Sequence, residues 1–147
     1  MKFVIKSFTE LTTKELYQIL QLRAAVFVVE QDCVYLDTDF KDLKALHIIG
    51  FKNNSLVAYA RIFKPEDYFK NASIGRVVVK KEYRKLGIGN KLIQTAICTI
   101  KNTFKVHVIT ISAQLYLLSF YEKNNFKKVS NVYLEDGIPH IKMTCLL

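Results

Sequence analysis

The stretch VVVKKEYRKLGIGNKLIQTAI, Val77 to Ile97, runs three local structures together in a fixed order. Consecutive β-branched residues favour a strand, and the paired glycines Gly87 and Gly89 permit a tight turn after it. Leu92, Ile93, Ala96, Ile97 and Ile100 then recur at helical spacing, and KVHVITISA, Lys105 to Ala113, is a strand again. Strand, helix and strand in this order form a βαβ crossover, which predicts that the two strands are parallel and adjacent.

The rest of the chain must build around that unit. A strand is expected over roughly residues 3–8, followed by a helix that starts at Thr12, where Glu15 stands at the reciprocal capping distance. Leu16, Ile19, Leu20, Arg23 and Phe27 line one face of that helix. The acidic segment from Asp32 to Ala45 has no clear periodicity and reads as an irregular or briefly helical loop bordering a substrate site. HIIGFK and SLVAYARIF flank Asn53 and Asn54, which tolerate positive φ, so they form a hairpin; SIGRVVV is the next strand. A last helix over about residues 115–123 precedes two strands, near 127–133 and 140–144, joined at Asp136 and Gly137. The order predicts an α/β fold, a mixed sheet with helices on both faces.

With 147 residues, half of them hydrophobic, and only five glycines and two prolines, the chain is expected to form a single domain over residues 1–147. The longest apolar run, Ala24 to Val29, is far too short for a membrane span, and the N-terminus lacks a signal-peptide hydrophobic region. A cytoplasmic location is expected. Cys33, Cys98 and Cys145 are odd in number and widely spaced, so they predict buried free thiols rather than a disulfide framework or a metal site. The net charge of +9 favours anionic partners, and either a phosphorylated small molecule, nucleic acid or a membrane surface would satisfy it, as would a merely solvated surface. No recognition helix or RNP-like aromatic strand supports nucleic acid.

Spacing separates the ways in which RKLGIGNKL could hold a phosphate. A P-loop needs GxxxxGK followed by Ser or Thr, and a dinucleotide fingerprint needs a third glycine at Leu92; both are absent. What remains is RxxGxG, carried by Arg84, Gly87 and Gly89. Glycines let a diphosphate approach the backbone, and the following helix offers unpaired N–H groups with partial positive charge. Lys80, Lys81, Arg84, Lys85 and Lys91 add mobile cations.

Val77 x Val79 followed by Arg84 to Gly89 resembles the signature of the GNAT acyl-CoA N-acyltransferases. LRAAVFVVEQ, VAYARIF, IGRVVV, SAQ and EDGIPHIKM extend the resemblance across nearly the whole chain, toward the ElaA-like branch. It implies a mostly antiparallel mixed sheet whose parallel pair splays apart, with acetyl-CoA as co-substrate, no metal, an amine acceptor, direct transfer in a ternary complex and, by analogy, a homodimer. It further implies that the main chain of Val77, Val78 and Val79 meets the acetyl and pantetheine groups. The amides of Arg84, Lys85, Leu86, Gly87, Ile88, Gly89 and Asn90 would hold the pyrophosphate. SFYEKNNF resembles the family's last helix, making Tyr121 the acid for the leaving thiolate; Asn125 stands where the family usually has glycine. Glu30 and His140, with His47 third, are candidate bases, a water chain being the alternative, and Arg23, Gln31 and His47 fall on the acceptor side. A non-catalytic acyl-CoA-binding module, or a basic nucleic-acid-binding domain, is the alternative.

Overall fold

The computed structural model describes residues 1–147, and local hydrogen-bond chemistry sets its element boundaries. The Glu15 N–H donates to Thr12 Oγ1 at 3.1 Å while the Thr12 N–H donates to Glu15 Oε2 at 2.9 Å, so α1 (Thr13–Arg23) begins at this reciprocal cap. Asn53 and Asn54 take φ values of 50° and 61°, and Asp136 and Gly137 take 50° and 74°. Such two-residue turns match the twist of the strands they join: β2 (Leu46–Lys52) with β3 (Ser55–Phe63), and β7 (Tyr133–Glu135) with β8 (Ile138–Leu146).

β1 (Lys2–Ser7), β2, β3 and β4 (Ser73–Val79) form one antiparallel sheet in that order, and β5 (Val108–Gln114) heads a second in which β8 pairs with β5, β6 (Lys127–Lys128) and β7. The expected strand over 127–133 is interrupted. Ser130 Oγ takes the Lys142 N–H at 2.9 Å, a side-chain bond that displaces the ladder between β6 and β7.

β4 and β5 are parallel, as a crossover requires, but they touch only at one end. A single bridge joins Ala72 to Ile109, where the Thr110 N–H donates to the Ala72 carbonyl at 2.8 Å and Asn71 Nδ2 donates to Thr110 Oγ1 at 3.0 Å. Past this point β4 turns away at a bulge against β3, with Arg76 at a φ of 51°. Adjacency along the full strands is therefore not what the chain adopts.

α2 (Ile88–Phe104) spans the gap from one face, where Leu92, Ile93, Ala96 and Ile100 pack in one cluster with Ile48, Ala60 and Ile62 of the first sheet and Ile111 and Met143 of the second. On the other face Ile19, Leu22 and Phe27 pack over Ile49, Tyr59 and Val78. Leu22 is buried in place of Leu16 and Leu20, which stay half-buried. α3 (Leu118–Lys123) follows a 3₁₀ turn, and Asn125 beyond it adopts the left-handed φ of 66° that glycine would otherwise supply. Cys33 and Cys145 are buried, whereas Cys98 lies on the exposed side of α2, so the expectation of burial fails for that thiol.

The acidic loop is pinned rather than loose. Arg23, fully buried, donates to Asp37 and Asp42 at 2.7 Å each; Arg61, also buried, donates to Asp42 at 2.9 Å and to Asp39 at 2.8 and 2.6 Å; Arg76 donates to Asp37 at 2.7 Å. Removing one partner from such a network leaves buried charge uncompensated. Arg23→Met is expected to lower the unfolding free energy by about 3 kcal/mol in urea titration.

Candidate active site

The divergence of β4 and β5 opens a cavity of about 520 Å³ between them. One wall is β4 from Gly75 to Val79, with no strand on its outer edge past the Ala72 bridge; the opposite wall is Ser112 and Gln114 of β5 with His140 of β8. The glycine turn and the first residues of α2 line it, as do Tyr68, Glu135 and, beside Gln114 in the β5–β8 register, His140.

The glycine turn is shaped for close approach. Lys85 and Gly87 have φ values of 63° and 74°, and a side chain at Gly87 would meet nothing within 4 Å, so open space lies over its backbone. A Cβ at Gly89 would touch the Phe120 ring at 3.4 Å, so larger groups there would crowd the cleft. Gly87, Ile88, Gly89 and Asn90 all line the cavity, where a long helix offers its unpaired N–H groups.

Val77, Val78, Val79, Arg84 and Lys85 also reach the cavity, whereas Leu86 points outward and does not. Arg84 is not a mobile cation: its Nη1 and Nη2 donate to Glu30 at 2.7 and 2.6 Å and its Nε donates to the Val79 carbonyl at 3.0 Å. Glu30 lies outside the cavity lining, and the hydrogen bonds from Arg84 hold its carboxyl below the usual carboxylate range.

Tyr121 is only 6% exposed and stands on the cavity wall, where burial, reinforced by Tyr116, pushes its phenol above its ordinary value. It packs edge-on against Phe120 and Phe126. His140, buried on the facing wall, donates from Nδ1 to the Ile138 carbonyl at 2.7 Å. In the neutral ring that bond leaves the lone pair on Nε2, which sits 3.2 Å from Glu135 Oε2.

The acceptor-side expectations divide. Gln31 lines the cavity and exchanges amide hydrogen bonds with Gln114 at 3.0 and 3.1 Å. Arg23 and His47 do not reach it. Arg23 is consumed by the aspartate network. His47 donates from Nε2 to the Asp42 carbonyl at 3.0 Å and accepts at Nδ1 from Tyr59 at 2.8 Å, and burial lowers its basicity.

Arg61, Arg76, Tyr68 and Glu135 line the cavity and were not singled out by the sequence. A signal for Arg61 was present, since an arginine within the apolar strand SLVAYARIF demands carboxylates, and the acidic loop supplies them. No group of three or more His, Cys, Asp or Glu side chains converges to hold a metal ion.

An antiparallel sheet pair split beside a strand, glycine turn and helix defines the fold of GNAT acyl-CoA N-acyltransferases. The acetyltransferase (GNAT) domain of known families matches residues 14–147, and the chain belongs to that family. ElaA of Escherichia coli strain K12 is 44% identical over 137 residues, covering 92% of this chain and 90% of that protein. A UPF0039 protein of Schizosaccharomyces pombe is 46% identical over 145 residues, covering 97% and 95%. The crystal structure of E. coli ElaA superposes with a TM-score of 0.91 at 41% identity over 98% of both chains. An acyl-CoA N-acyltransferase from Pseudomonas aeruginosa gives 0.91 at 37% identity over 99% of both.

The aspartates beneath the cavity set a pH limit. Burial opposes the ionisation of Asp39 and Asp42, but hydrogen bonds and charge from Arg61 on Asp39 and from Arg23 on Asp42 outweigh it and depress both. A depressed carboxylate contributes stability above its unfolded pKa of about 3.9 and loses it as pH falls toward the folded value. The urea midpoint is expected to hold steady from about pH 7 to pH 5 and to fall below about pH 4. Asp39→Asn should lower the midpoint at neutral pH and flatten that acid limb.

Proposed function

We propose that the cleft binds acetyl-CoA and transfers its acetyl group directly to a primary amine. The observation that carries this is the juxtaposition of a free β4 edge, a glycine turn opening on a helix N-terminus, and a buried tyrosine, all on one continuous cavity. A thioester needs each of these. The diphosphate is held by the amides at Gly87 to Asn90, the pantetheine by the unpaired main chain of β4, and the thioester carbonyl by an N–H such as that of Val77.

The amine attacks the carbonyl carbon, a C–N bond forms and the C–S bond breaks. His140 takes the proton released by the amine, through Nε2, while Nδ1 stays bonded to the Ile138 carbonyl; imidazolium alone can donate from both nitrogens, and Glu135 stands ready to accept the second. Tyr121, kept protonated by burial, gives its proton to the departing thiolate. Burial makes Tyr121 a weaker acid than a free phenol, so its proton moves as the C–S bond breaks and negative charge develops on sulfur. Glu30 is a poor base, since both its oxygens are committed to Arg84.

Release of free CoA thiol in the presence of a panel of primary amines is the direct test. Amine-dependent release is expected, and binding of acetyl-CoA without release by any amine would leave only a binding module. Tyr121→Phe should lower kcat by about a hundredfold with acetyl-CoA affinity held within about twofold; unchanged turnover would remove Tyr121 from the chemistry.

A further inference from the structure

Glu30 and Gln31 are consecutive residues at the end of the π-helical segment Ala24–Glu30 that prolongs α1, and each reaches a different lip of the cleft. Glu30 grips Arg84 on the β4 side through two bonds of 2.7 and 2.6 Å, and the same guanidinium donates to the Val79 carbonyl at 3.0 Å. Gln31 grips Gln114, the last residue of β5, through a reciprocal amide pair. Neighbouring positions on a helix point roughly a quarter turn apart, so one helix end can hold both lips at once.

We propose that this helix end is a two-legged strap that fixes the width of the cleft, and that Glu30 is a positioning residue acting through Arg84. The inference rests on the acyl-CoA reading for its effect on ligand but not for the strap itself. An ion pair with side chains 30% and 37% exposed contributes little to global stability. Its effect is local: three donors of one planar guanidinium are used to hold the end of β4 and the start of the glycine turn. The far end of the cleft is already closed by the Ala72–Ile109 bridge, so the strap restrains the end that the bridge leaves open.

The sign of one substitution separates the strap from the obvious alternative. If Arg84 served simply as a cation for phosphate, Glu30→Ala would free that charge and tighten acetyl-CoA binding. The strap predicts that Glu30→Ala weakens it by about tenfold, since a small misplacement of binding groups is costly. Glu30→Ala/Arg84→Ala should bind no more weakly than Arg84→Ala alone, as expected for residues acting as a unit. In the unliganded protein, amide hydrogen exchange over residues 79–90 should quicken in Glu30→Ala and that of β1 and β2 should not, with the melting temperature nearly unchanged.

Tighter acetyl-CoA binding, additive losses in the double variant, or unaltered exchange over residues 79–90 would each overturn the strap. Loss of turnover with affinity and exchange intact would overturn it in favour of Glu30 as a base. Should the wild type fail to bind acetyl-CoA, the acyl-CoA reading falls, and the exchange comparison still decides the strap.

Discussion

One parallel bridge, between Ala72 and Ile109, determines what the rest of the molecule can do. Because β4 and β5 meet there and nowhere further along, the edge of β4 enters the interior without a strand partner. Unpaired backbone groups are costly when buried dry, and the cavity is where they find an outlet. α2 makes the split tolerable: its apolar face packs against both sheets, so the core stays continuous while the backbone ladder is interrupted.

The charges sort around the same cleft. Three arginines under the acidic loop are matched by three aspartates, Asp37, Asp39 and Asp42, which fixes the loop against the first sheet. Lys80, Lys81, Lys85 and Lys91 surround the glycine turn without a carboxylate partner, and of them Lys85 lines the cavity. The net charge of +9 is thus not evenly available: the buried arginines and Arg84 are paired with carboxylates, and the lysines of the turn are not.

Much of this was legible in the sequence where the signal is local. The Thr12 and Glu15 cap, the Asn53–Asn54 and Asp136–Gly137 turns, and the run from Val77 to Ile97 each carry their structure within a few residues. The divergence of β4 from β5 has no such signal; a strand, helix and strand ordinarily predict full adjacency, and only the family resemblance pointed to a split. Side-chain partners far apart in the chain were equally hidden. Arg84 looked like a free cation because Glu30 lies 54 residues away, and Arg23 and His47 looked available until burial supplied them with partners. The break at Ser130 escaped notice for a different reason, since one hydroxyl competes with a ladder bond that the strand pattern assumes.

The proposed binding mode lays acetyl-CoA along β4 with its diphosphate at the start of α2. Titration of isotopically labelled protein with acetyl-CoA, followed through backbone amide resonances, tests it most directly. Binding along β4 is expected to give saturable shifts centred on Val77, Val79 and Gly87 to Asn90, with β1 and β2 little changed. Shifts absent at saturating ligand, or centred away from the β4–α2 segment, would contradict it.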